Sequence, residues 1–234
     1  MYYYEEDFQY ITMAERKVLS EKMIEKLRQE GEKISPVIPR AKKNISQSFW
    51  GKAWCKNLEN YKDFDYRLSR GRSCLRASCV VDLKIDSNKI ISKVLGSSLY
   101  DIEIKFSKLT NKRTDAFTKK CTKKINSLVD LFAGKMSQQT AHLISDPDCG
   151  LFPDSNEIKF TCTCLDYANM CEHIAASLYG VAVLFDDDPN LFFTLRGLDP
   201  SIMLSSAGKS IDTMSKHSDS IDELEDIFDI EFDK

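Results

Sequence analysis

The sequence contains no apolar run long enough to cross a membrane. Its longest apolar stretch, residues 174–185, has twelve residues, whereas a membrane-spanning helix needs roughly 20. Residues 1–7 are acidic and aromatic, which is not the pattern of a secretory signal. The 8 cysteines are therefore expected to stay reduced, either free or bound to a metal. We expect a cytoplasmic protein with no membrane partner.

The residues of common catalytic sites are also scarce. The chain has only 3 histidines and 9 glycines, and it shows no glycine-rich phosphate-binding loop and no Ser/His/Asp set. A Cys-x-x-Cys redox pair is absent as well, which removes support for a thioredoxin-like protein. We therefore expect a binding protein and not an enzyme.

Charge is nearly balanced over the whole chain but strongly segregated along it. The net charge is −3, yet residues 33–135 carry 23 basic and 9 acidic side chains, a net of +14. Residues 136–200 carry a net of −8, and residues 201–234 carry −6. A basic middle beside acidic segments indicates a polyanionic partner, an electrostatic contact within the chain, or both.

Three cysteines and one histidine lie close together in the sequence. They are Cys162, Cys164, Cys171 and His173. Zinc prefers four tetrahedral thiolate or imidazole ligands, and four protein ligands make a closed, structural site. A single cysteine is better explained as a small buried apolar residue. A Cys-x-Cys pair followed by Cys-x-His favours zinc instead, and we expect all four residues to be ligands.

Local patterns place these four residues on a strand, a loop and a helix. Residues 157–164 alternate in polarity, which predicts a strand with both thiols on one face. Residues 174–185 are apolar and rich in alanine, which predicts a helix. Because a step of two residues turns a helix by about 200°, Cys171 is expected just before that helix and His173 in its first turn. The positive end of the helix dipole favours a thiolate there.

The other patterns predict an α+β fold, in which helices flank a small antiparallel meander and zinc staples a strand–loop–helix unit. Every odd residue of 75–85 is apolar, so we expect a strand there, within a three-stranded meander over residues 67–106. Trp50 and Trp54 lie at helical spacing and are expected to anchor a helix on the core rather than to stack on bases. Further helices are expected at residues 12–30, 112–132, 136–144 and 190–198.

Composition divides the chain into four parts. Residues 1–44 hold an N-terminal helix and a basic linker that contains proline. Residues 45–135 form a basic α/β region with the meander, and residues 136–200 form the zinc-finger region. Residues 201–234 are acidic and are expected to be a flexible tail.

The Cys-x-Cys…Cys-x-His pattern, with a strand before it and a helix after it, resembles the SWIM zinc finger. Other segments resemble the bacterial SWIM zinc finger proteins too, and the likeness covers roughly residues 38–199. These segments are Phe49-Trp50-Gly51-Lys52-Ala53-Trp54, Arg67-Leu68-Ser69-Arg70-Gly71-Arg72 and Leu191-Phe192-Phe193-Thr194-Leu195-Arg196-Gly197. The resemblance implies a protein that acts beside a Swi/Snf-type helicase, which is not itself part of this sequence.

The favoured function is a zinc-stabilised module that binds nucleic acid, with DNA favoured over RNA, and cooperates with such a helicase. The expected nucleic-acid contacts are basic side chains, and Arg70, Arg72 and Arg76 are expected to share one face of an extended strand. These candidates are Arg67, Arg70, Arg72, Arg76, Lys119, Lys120, Lys123 and Lys124. For the lysines, a solvated helix face is an equally good explanation.

A protein adaptor is the alternative function. In that case the zinc finger and the acidic tail hold a protein partner, and the basic region contacts an acidic partner surface. The two functions differ in how binding responds to salt and in whether free nucleic acid binds at all. The oligomeric state stays open at this point.

Overall fold

The computed structural model describes residues 11–40, 44–61, 65–122, 144–146, 149–166 and 168–199. Within these ranges the fold is α+β, as the sequence predicts. The helices are α1 (Met13–Gln29), α2 (Phe49–Glu59), α3 (Asp65–Arg76), α4 (Asn111–Thr122), α5 (Glu172–Asp187) and α6 (Asn190–Leu195). The strands are β1 (Val80–Asp86), β2 (Lys89–Leu95), β3 (Leu99–Phe106) and β4 (Ile158–Cys162). None of the described helices is long and apolar enough to cross a membrane.

The strands form one antiparallel sheet with the order β1-β2-β3-β4. The first three make the predicted meander, and the fourth arrives from much later in the chain. In the register of β3 and β4, Ile102 lies opposite Cys162. Pairing with the meander therefore fixes the end of β4, where the predicted metal site begins.

The first part of the predicted meander is wrong, because residues 65–76 form helix α3 and not a strand. Leu68 and Leu75 of this helix are buried in the core. Helix α3 packs so closely on α5 that a Cβ added at Gly71 would lie 2.4 Å from the Cβ of Ala175. Strand β1 starts only at Val80, so Arg70, Arg72 and Arg76 do not share the face of an extended strand.

Helix α2 confirms the expected role of the tryptophans. Trp54 is fully buried, and its Nε1–H donates a hydrogen bond of 2.8 Å to the carbonyl of Leu178 in α5. The ring of Trp50 packs 5.0 Å from the ring of Phe192 and 5.5 Å from that of Phe193 in α6. Both indole rings therefore stabilise helix packing and are not available for stacking on bases.

Several sequence predictions concern residues outside the described ranges. They are the helix at 136–144, the second half of the helix at 112–132, the lysines Lys123 and Lys124, and the acidic tail at 201–234. Helix α1 does match its prediction. It begins with a capping box in which Thr12 and Glu15 satisfy each other's backbone N–H groups.

Candidate metal centre

The four predicted ligands meet at one point of the fold. The ligand atoms of Cys162, Cys164, Cys171 and His173 all lie within 4.8 Å of one another. Ligands held about 2.3 Å from one ion at tetrahedral angles lie roughly 3.8 Å apart. The group is therefore positioned to bind a single metal ion. Among the described residues, no other cysteine belongs to a group of this kind.

Three short elements bring these residues together. Strand β4 ends at Cys162, and Cys164 follows just beyond the strand. After the loop, Cys171 is the N-cap of helix α5, where its sulfur accepts a hydrogen bond of 3.5 Å from the N–H of Ile174. His173 lies in the first turn of α5. The predicted positions of Cys171, just before the helix, and of His173, in its first turn, are thus confirmed.

Hydrogen bonding within the group favours a thiolate at Cys171. The thiol of Cys162 donates to the Cys171 sulfur and lowers the pKa of Cys171 to about 4, helped by the Ile174 N–H. Burial acts in the opposite direction on this pKa. The same contact raises the pKa of Cys162, and burial raises the pKa of Cys164. A metal that binds here would displace the protons of those two thiols.

The turn between β2 and β3 holds the imidazole of His173. The ring of Tyr100 lies 4.5 Å from the imidazole, and its hydroxyl is 2.7 Å from Ser97 Oγ. A Cβ at Gly96 would lie 2.4 Å from His173 Nε2, so only glycine leaves room for the ring. The other ring nitrogen, Nδ1, is buried and has no hydrogen-bond partner. Since such an atom is costly to leave unsatisfied, Nδ1 is the ring atom best suited to bind a metal.

The donor set fits zinc. Three sulfur ligands and one imidazole form the Cys₃His set that is common in structural zinc sites. Soft thiolate ligands also disfavour magnesium and calcium, which prefer oxygen. A metal held by these residues would join the edge of the sheet to the start of α5.

Two of the predicted nucleic-acid contacts form ion pairs with residues near the candidate metal ligands. Arg67 Nη1 lies 2.7 Å from Asp166 Oδ2 in the loop between the second and third cysteines of the site. Arg70 makes an ion pair with Glu172, which lies between the candidate ligands Cys171 and His173 in the sequence. Helix α3 is therefore attached to the metal centre by charged contacts on both sides of the finger loop.

The other described basic candidates lie on α3 and α4. Arg72 lies 2.7 Å from Glu59 and donates to the hydroxyl of Tyr179 at 3.0 Å. Arg76 is exposed at the end of α3. On α4, Lys120 pairs with Asp146, and Lys119 precedes it in the same helix. Of these candidates, Arg67, Arg70, Arg72 and Lys120 thus each pair with a carboxylate.

A buried charged group was not predicted from the sequence. Arg196 is 1% exposed, and its Nη2 lies 3.0 Å from Glu157 Oε2. Arg113 Nη1 lies 2.8 Å from the other oxygen of Glu157. Burial lowers the pKa of Arg196, and the charge of Glu157 opposes that change. The segment at 191–197 resembles a segment of the bacterial SWIM zinc finger proteins, but its local pattern does not indicate that this arginine is buried.

Comparison with known proteins gives one informative similarity. The chain is 28% identical over 165 residues to the uncharacterized protein Rv2102 of Mycobacterium tuberculosis (strain ATCC 25618 / H37Rv). The alignment covers 69% of this chain but only 59% of that protein. No protein-family profile matches the chain, and no solved structure matches it significantly. The SWIM resemblance therefore rests on the residues of the motif, and the similarity assigns no activity.

Proposed function

We propose that this protein is a zinc-binding module that contacts nucleic acid and works beside a Swi/Snf-type helicase. The metal part of this proposal is supported by the closed Cys₃His group and by its resemblance to the SWIM finger. With four protein ligands, zinc has no open position at which to activate water. Its role in the proposal is to fold the finger and not to carry out a reaction.

One observation supports nucleic-acid binding most directly: the arginine-rich helix α3 is attached to the finger. Four of its twelve residues are arginines. Arg70 keeps 47% of its side chain exposed despite its ion pair with Glu172, and Arg76 is exposed as well. Guanidinium groups suit phosphate and base contacts, and the net charge of +14 over residues 33–135 would attract a polyanion.

A protein adaptor is the second candidate, and a different observation favours it. Leu165, in the finger loop, is 87% exposed. The neighbouring carboxylate of Asp166 and that of Glu172 offset the charges of Arg67 and Arg70. An exposed apolar side chain beside compensated charges suits a protein surface better than a phosphate backbone.

Copurification of the native protein from its cells, with and without nuclease, separates these functions. If nucleic acid is the direct partner, nuclease should release the associated proteins, whereas a protein adaptor should keep them. Titration of purified protein with labelled oligonucleotides, followed by anisotropy at several salt concentrations, then measures direct binding. Failure to bind at low salt would contradict the nucleic-acid function.

A pair of matched variants makes the titration specific. Arg76→Ala should weaken binding and reduce the salt slope by roughly 0.7 to 0.9, the value of one lost phosphate contact. Lys17→Ala is the control, because Lys17 lies on the surface of α1 and pairs only weakly with Glu21 at 4.0 Å. Equal salt slopes for the two variants would exclude Arg76 as a phosphate contact.

A further inference from the structure

An exposed aromatic side chain stands at the start of the arginine-rich helix. Tyr66, in the first turn of α3, is 69% exposed. By contrast, Trp50 and Trp54 of the neighbouring helix are buried. Large exposed aromatic rings cost free energy in water unless they meet a partner. Tyr66 is therefore a candidate contact residue with no role in the core.

Two arginines hold this ring in place. The guanidinium carbons of Arg67 and Arg70 lie 5.8 and 5.7 Å from the centroid of the Tyr66 ring. Arg70 Nη1 also donates a hydrogen bond of 3.3 Å to the Tyr66 hydroxyl. Distances below about 6 Å are typical of cation–π contacts. The ring and the two guanidinium planes thus form one surface group, the Tyr66 platform.

The finger in turn holds the arginines. Arg67 binds Asp166 of the finger loop, and Arg70 binds Glu172 at the start of α5. Side chains that are already ordered lose less conformational entropy when a ligand binds. The platform is therefore prepared for a flat, π-electron-rich ligand before that ligand arrives.

We propose that the Tyr66 platform stacks on an unpaired base of single-stranded nucleic acid. This inference rests on the nucleic-acid function proposed above and names the strand form that the surface takes. In a duplex the base faces are already covered by their neighbours, so they cannot reach Tyr66 unless the strands separate. A single strand offers free base faces, which stack well on tyrosine rings and on guanidinium planes.

The local charge favours a base over a phosphate at this point. The positive charges of Arg67 and Arg70 each have a carboxylate partner, which reduces their attraction for a phosphate group. A neutral base gains from the ring and from the cation–π field without requiring those ion pairs to open. Leu165, which precedes Asp166 and is largely exposed, adds apolar surface to the loop that binds Arg67.

Anisotropy titrations with a labelled thymidine oligonucleotide and with a labelled duplex test the proposal. Tyr66→Ala should weaken single-strand binding by roughly 5- to 150-fold, the range expected for the loss of one stacked base. Tyr66→Phe keeps the ring and should stay close to the wild type. Both variants should bind the duplex as the wild type does. Zinc content and thermal unfolding check that each variant is folded.

An abasic oligonucleotide separates stacking from charge, since it keeps the phosphates but lacks the bases. Wild type and Tyr66→Ala should bind it equally. Unchanged single-strand binding by Tyr66→Ala overturns the inference, as does a loss in Tyr66→Phe as large as that in Tyr66→Ala. If the wild type binds neither strand form at low salt, the proposed function fails and this inference fails with it. Duplex binding that persists while Tyr66→Ala has no effect leaves the function standing and removes only the platform.

Discussion

The guanidinium of Arg70 binds the carboxylate of Glu172, the residue between the candidate metal ligands Cys171 and His173. Because Arg70 also contacts the ring of Tyr66, a continuous set of side chains joins the metal centre to the surface of α3. The side chain of Glu172 is largely shielded from solvent, and this strengthens its charge interactions. A change at the metal centre is therefore expected to alter the surface of α3 directly.

The purified protein should contain one zinc ion per chain, because the four ligand atoms form a single closed group. Cys171→Ser should lose the metal and loosen the start of helix α5, since metal binding and local folding are coupled. Elemental analysis measures the zinc, and limited proteolysis measures the loosening. Much less than one zinc per chain, in protein never exposed to a chelator, would contradict this expectation.

Cysteines outside the group provide the matched controls for that experiment. Serine at Cys55, Cys74, Cys79 or Cys121 should leave the zinc content unchanged, although stability can fall where the thiol is buried. Zinc loss in one of these variants would mean that the site is larger than the four residues named here.

Gly96→Ala should weaken metal binding without touching a ligand. The new Cβ would lie 2.4 Å from His173 Nε2 and 2.8 Å from Tyr100 Cε2, so the imidazole must move. Displaced supporting groups typically cost metal sites about 10- to 100-fold in affinity. Competition with a chromogenic chelator measures the change. Ser97→Ala is the control, because it removes only the exposed hydrogen bond to Tyr100. Equal metal affinities for the two variants would show that Gly96 is not needed to make room for the His173 ring.

Glu157→Ala should destabilise the fold strongly, because it leaves the buried Arg196 and the partly buried Arg113 without their shared partner. Removal of one member of a buried ion pair typically costs about 3–5 kcal/mol. Glu103→Ala is the control, since Glu103 pairs with the exposed Lys105, and exposed pairs contribute about 0–1 kcal/mol. Urea unfolding gives both values. Similar losses in the free energy of unfolding for the two variants would show that the ion pairs with Glu157 contribute little to stability.

Truncation after Gly208 should tighten nucleic-acid binding, because it removes most of the acidic segment that opposes the basic middle of the chain. Residues 201–234 carry −6 against +14 over residues 33–135. A tethered segment can reach an effective concentration in the millimolar range, and non-specific nucleic-acid affinities are only about 10⁻⁴ to 10⁻⁶ M. Anisotropy titration of the two forms compares their affinities. Equal affinities would exclude masking by the tail.

Local sequence determined the metal centre and much of the sheet. The four ligands lie within one short segment, so spacing and strand-then-helix patterns sufficed to place Cys171 at the N-cap and His173 in the first turn of α5. In β3, Ile102, Ile104 and Phe106 alternate with charged residues and form the buried face of the strand. The capping box of α1 is local as well.

The prediction of sheet structure over residues 67–79 was wrong. The end of this segment alternates in polarity as a strand does, but most of the segment folds as helix α3. Leu75, Ala77 and Cys79 alternate with polar residues, yet α3 extends to Arg76 and the chain turns through Ser78 with a φ of 58°. Helix α3 gains its stability by packing on α5 through Gly71. That partner is distant in the sequence, and local periodicity contains no information about it.

The sequence by itself thus determined which residues can hold a metal, because those ligands interact within a few residues of one another. Only the tertiary structure decided what the arginines do. Arg67 pairs with Asp166, which lies 99 positions later in the sequence. The buried Arg196 pairs with Glu157. Charge pairs of this kind depend on how distant helices and loops pack, since the energy of a charge is set by the partners and the burial that packing provides.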